Sequence, residues 1–85
     1  MKVYVVVEDW QFDDGECGTE TYVFETLAQA QGQMGGLSLD IKKVFENNFK
    51  DNYDVDKNDM SVSYYESGEY CYNHHNVAIY EREIR

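Results

Sequence analysis

The sequence predicts an α+β domain: a mostly antiparallel sheet of four to five strands, in the order ββ-α-βββ, with a broken helix packed on one face. Three observations predict it. Both ends of the chain alternate side chains at the period of two that a strand imposes. Between them, apolar residues recur at helical spacing. Turn-forming residues punctuate the boundaries, and 85 residues leave room for a single domain, 1–85.

Lys2 to Gln11 reads as the first strand. Val3, Val5 and Val7 share one face, with Tyr4 and Val6 on the other; apolar character on both faces marks a central strand. Asp13-Asp14-Gly15 is a turn, and Thr19 to Glu25 forms the second strand of a hairpin with a wide loop. Thr26 is placed to cap a helix beginning Leu27-Ala28-Gln29-Ala30-Gln31. Gly32, Gly35 and Gly36 interrupt it, since each glycine weakens a helix relative to alanine. Ser38 caps a fresh start, and Ile41, Val44, Phe45 and Phe49 form one stripe facing the sheet. The expectation is a bend between two helices. A phosphate loop is excluded because no Lys-Ser or Lys-Thr follows the glycines.

Asp51 to Asp59 reads as a polar, carboxylate-rich loop. Asp54, Asp56 and Asn58 match the first three ligands of a calcium-binding EF-hand. Asp59 then stands in place of the required glycine and Tyr65 in place of the final glutamate, so calcium is rejected. Met60 to Glu66 is a strand, Ser67-Gly68 turns it, and Glu69 to Tyr72 returns. Asn73 to Asn76 is another turn. Val77 to Ile84 closes the sheet, with Val77, Ile79 and Glu81 on one face and Ala78 and Tyr80 on the other. No repeat, low-complexity tract or linker is visible.

Hydrophobic residues make up 42% of the chain and aromatics 15%, too rich for a disordered acidic tail. The opening apolar run stops at Glu8, so neither a signal peptide nor a transmembrane helix is read there. The expected setting is the reducing cytoplasm of a bacterial host cell. Seventeen Asp and Glu against seven Lys and Arg give a formal net charge of −10. That field repels nucleic acid and anionic membrane and attracts basic protein surfaces. Ordinary solubility is the bland reading of the same charge; eight tyrosines, which supply rigid amphipathic contact area, favour a binding surface. Its expected contact residues are Asp51, Asp54, Asp56, Asp59, Glu66 and Glu69.

Cys17, Cys71, His74 and His75 gather in two short segments. Cys71 and His74 have Cys-x-x-His spacing, which lets a thiolate and an imidazole close on one tetrahedral zinc ion. The expected structural zinc site takes Cys17, Cys71 and His74, with His75 or Asp14 as the fourth ligand, and ties the first loop to the last turn. His74 is preferred because adjacent residues of a strand point to opposite faces. The alternatives are unliganded side chains and a Cys17–Cys71 disulfide.

Catalytic motifs are missing: no Gly-x-Ser-x-Gly, Gly-x-Gly-x-x-Gly or His-Glu-x-x-His occurs. A thiol–imidazole dyad from Cys71 with His75, or Cys17 with His74, needs a low-pKa thiol, which an anionic surround opposes. A hydrolytic zinc site needs an open ligand position and a concave pocket. The chain is therefore read as a non-enzymatic protein.

Lys2-Val3-Tyr4-Val5-Val6-Val7-Glu8-Asp9-Trp10, Tyr22 to Ala30, and the Gly68-Glu69-Tyr70 to Asn73-His74 segment resemble small acidic proteins of phages and mobile elements in gut bacteria. Several proteins of that kind are anti-CRISPR inhibitors, some mimicking DNA and some binding a lobe that must move. The resemblance implies an inhibitor of a nucleic-acid-handling enzyme, with a type II CRISPR effector nuclease as the expected partner, and it transfers no functional residue. An RNA-guided nuclease holds its heteroduplex in a positively charged channel, a target that suits an acidic domain. The alternatives are a phage or bacterial regulatory domain that binds proteins unrelated to CRISPR, and a small zinc or thiol enzyme.

Overall fold

In a computed structural model, residues 1–12, 15–67 and 73–84 are described. The elements run β1 (Lys2–Gln11), β2 (Cys17–Phe24), α1 (Leu27–Phe49), β3 (Tyr53–Asn58), β4 (Ser61–Glu66) and β5 (His74–Glu83). The five strands form one sheet in the order β2-β1-β5-β4-β3, every neighbouring pair antiparallel. The fold is α+β, in the predicted order ββ-α-βββ.

The helix lies across one sheet face. Tyr4, Val6, Glu8 and Trp10 of β1 point toward it, and the register aligns them with Tyr22 and Phe24 of β2 and with His75, Val77 and Ile79 of β5. Val62 and Tyr64 extend the same face into β4. The helix answers with Ala30, Met34, Ser38, Ile41 and Phe45, all buried. Phe45 is fully buried, with rings of Phe12, Phe49, Tyr53 and Tyr64 between 5.1 and 6.1 Å from its centroid. Burying such a side chain contributes about 1.5–3 kcal/mol by area, so this aromatic cluster anchors the C-terminal half of the helix.

The helix is unbroken over 23 residues, which corrects the expected bend. Gly32, Gly35 and Gly36 all face open space, whereas the buried positions continue through that stretch at helical spacing. Packing against the sheet outweighs the weak propensity of three glycines. Ser38 is not a cap: it is buried, and its hydroxyl lies 2.9 Å from the Tyr64 hydroxyl. Val44, expected on the packed stripe, is 43% exposed. Thr26 caps as expected, accepting a hydrogen bond from the Gln29 amide at 3.2 Å. The helix stops at Lys50, whose φ of 52° lies in the left-handed region.

The acidic loop is also corrected, because Tyr53–Asn58 is an edge strand paired with β4. Its alternation places Tyr53, Val55 and Lys57 on the helix side and Asp54, Asp56 and Asn58 on the other. The Asn58 side chain accepts from the Met60 amide at 2.8 Å and closes the tight turn into β4. A third correction concerns Asn73 to Asn76: β5 already begins at His74 instead of turning there. The strand expected over Glu69–Tyr72 lies outside the described residues, as do Asp13, Asp14 and Gly68.

Candidate functional site

Each histidine takes a different face. His74 pairs with Gln11, which also pairs with Cys17, so Cys17 and His74 flank Gln11 on the helix-free side of the sheet. Two strand spacings put their backbones roughly 9.5 Å apart, a span that a thiolate and an imidazole can bridge through one ion. Cys17 is exposed, and a shallow depression lined by Asp9, Gln11, Cys17, Thr19 and His74 opens there. Asn76 lies 3.1 Å from His74 Nδ1, placed to fix the ring. Among the described residues, no three His, Cys, Asp or Glu side chains converge on one point. The remaining expected ligands, Cys71 and Asp14, lie outside those residues.

His75 points the other way, toward the helix. Its Nε2 lies 2.7 Å from Glu8 Oε2, and Tyr22 donates to Glu8 Oε1 at 3.3 Å. Trp10 and Phe12 flank the imidazole at 5.4 and 6.3 Å. Glu8 is buried. Burial raises the pKa of the Tyr22 hydroxyl, and the Glu8 carboxylate beside it raises it further. A carboxylate–imidazole pair can relay protons, but here aromatic rings pack against it and its partners are already engaged. It serves as a polar node that joins β1, β2 and β5. Sequence reasoning missed it; the available signal was Glu8 itself, alone among apolar residues on the Tyr4–Val6–Trp10 face.

The expected contact carboxylates divide as well. Asp54 and Asp56 stand exposed on the helix-free side of β3, and Asp51 and Asp59 flank that strand at its two ends. Their charge registers on Tyr65, whose pKa is raised first by Asp56, then by partial burial and by Asp54. Ser67 donates to Asp54 at 2.9 Å. Glu66 is half-buried and accepts from Asn73 Nδ2 at 3.1 Å, while Glu69 lies outside the described residues. The cations are scattered: Lys2 bonds Glu81 at 2.8 Å, Lys42 lies 3.9 Å from Glu46, and Arg82 covers the Tyr80 ring at 5.3 Å.

Fold and site together define an acidic, single-helix α+β domain built on a five-stranded antiparallel sheet. No protein-family model matches the chain, and neither does any curated protein or solved structure. No helix among the described residues is long and apolar enough to cross a membrane.

Proposed function

We propose that this domain is a non-enzymatic acidic inhibitor of the anti-CRISPR type that docks on a basic surface of a nucleic-acid-handling enzyme and blocks DNA loading by an RNA-guided nuclease. One observation carries the reading. Four carboxylates, Asp51, Asp54, Asp56 and Asp59, line a single exposed edge strand and its two ends, with Lys57 the one cation among them. An exposed strand edge rich in one sign of charge raises the encounter rate with a surface of the opposite sign. A structural zinc ion held by Cys17 and His74, with Cys71 and Asp14 completing the set, belongs to the same proposal. The placement of Cys17 and His74 on one side supports it, while His75 faces away from both.

The test measures target-DNA loading and cleavage by a panel of guide-loaded nucleases with and without the purified domain. Inhibition is expected at low salt, weakening as salt screens the charges. Reversing Asp54, Asp56 and Asp59 to lysine together should slow association. If every nuclease loads and cleaves DNA normally at low salt, the anti-CRISPR reading is wrong. Inhibition that survives molar salt and the triple reversal would sink the electrostatic mechanism.

A further inference from the structure

A strand that is apolar on both faces belongs in a sheet covered on both sides. Among the described residues, only one side has a helix. On the other, Val5 pairs with Val23 and Tyr80, Val7 pairs with Thr21 and Ala78, and Val3 pairs with Arg82. Val5, Val7, Val23, Ala78 and Tyr80 form an apolar patch across β2, β1 and β5; Val23 is 61% exposed and Tyr80 45%, Val5, Val7 and Ala78 are half-buried, and Val3 beside them is buried. The protein is elongated, 44 × 21 × 18 Å along its principal axes. It exposes 5813 Å², against roughly 5,200 Å² for a compact monomer of 10.0 kDa.

We propose that a second copy of this chain covers the helix-free side, the two helix-free faces packing about a two-fold axis that crosses the strands between Val5 and Val7. The register makes this face complementary to itself. With strands of the two sheets roughly aligned, such an axis sets the Val23–Val5–Tyr80 row of one copy over the Thr21–Val7–Ala78 row of the other. Tyr80 then meets Ala78 and Val23 meets Thr21, large over small, on both halves of an isologous interface. The row holding Val3 and Arg82 lands on the row holding Asp9 and Asn76, which sets Arg82 over Asn76 and one strand away from the Asp9 carboxylate of the other copy. Asp54 and Asp56 lie on β3 beyond the overlap, because no β3 residue of the other copy reaches them. The acidic edge stays free and appears twice in the dimer.

Two chains of net charge −10 repel, so the dimer should tighten as salt rises. Binding to a basic partner has the opposite salt dependence, and the two ideas therefore fail separately. Sedimentation of the full chain at roughly 100 µM, with reductant to keep Cys17 from forming a disulfide, should give twice the 10.0 kDa chain mass. Dimerisation should be stronger at about 0.5 M than at about 0.05 M salt. Val23→Lys with Tyr80→Lys should weaken it by at least about tenfold, although both changes lower the repulsion. Dilution of the unaltered chain, followed by NMR, should shift Val5, Val7, Val23, Ala78 and Tyr80, which requires no variant to fold. A monomer at both salt levels overturns the proposal. So does a dimer indifferent to the double substitution with a native circular dichroism spectrum, or one whose dilution shifts fall on the helix.

Discussion

Glu8 Oε2 and His75 Nε2, 67 residues apart in the chain, meet at 2.7 Å on the helix side of the sheet. The contact joins β1 to β5 one register row apart, since Glu8 pairs with Val77 and Trp10 with His75. Tyr22 brings in β2 from the other side. A buried carboxylate without partners would be costly, and this one has two.

Removing the imidazole should therefore expose that cost. His75→Ala is expected to destabilise the fold by about 2–3 kcal/mol, as for a lost hydrogen bond to a charged group. Glu8→Gln should cost less, because the amide still accepts from Tyr22. Urea unfolding of the two single variants and the double variant measures the coupling. Additive effects would show that the pair is not energetically linked.

Glycine substitutions should divide by location. A Cβ at Gly18 would overlap the Trp10 indole lying on it, whereas Gly32, Gly35 and Gly36 face open space in the helix. Gly18→Ala should cost about 1–3 kcal/mol by overpacking. Each helix glycine changed to alanine should add about 0.5–1 kcal/mol. Thermal melts of the four variants check this; stabilisation at Gly18 would contradict the stacking geometry.

The tyrosines set an alkaline limit. Tyr22, Tyr53 and Tyr65 all have pKa values raised above the ordinary 10.0. Burial leads at Tyr22 and Tyr53, and the Asp56 charge leads at Tyr65. The folded state thus favours the neutral phenol. The resulting stabilisation is full below pH 10 and disappears as pH rises through the raised folded values. Absorbance titration of phenolate should show Tyr65 ionising at lower pH once Asp56→Asn and Asp54→Asn are introduced. An unchanged titration would assign the Tyr65 shift to burial alone.

Zinc should divide the histidines. Protein purified without a tag or added metal is expected to carry about one equivalent by elemental analysis. His74→Ala and Cys17→Ser should lose it, His75→Ala should retain it, and affinity should fall as pH drops because the thiolates take up protons. Zinc well below one equivalent, with stability indifferent to a chelator, would leave these residues as ordinary side chains.

Local pattern alone determined the strand Lys2–Gln11, the hairpin after it, the Thr26 cap and the alternation of Val77 and Ile79, because period and capping chemistry are properties of neighbouring residues. The acid-rich edge strand was present as Tyr53-Val55-Lys57 against Asp54-Asp56-Asn58, but its charge disguised a period of two. Tertiary structure decided the rest. Continuous burial of Ala30, Met34, Ser38, Ile41 and Phe45 carried the helix through its glycines. Sheet order placed β5 beside β1, and only that pairing brought His75 to Glu8 and His74 to the side of Cys17. Such contacts form between segments far apart in the chain, where spacing holds no information about distance and only the register of the folded sheet does.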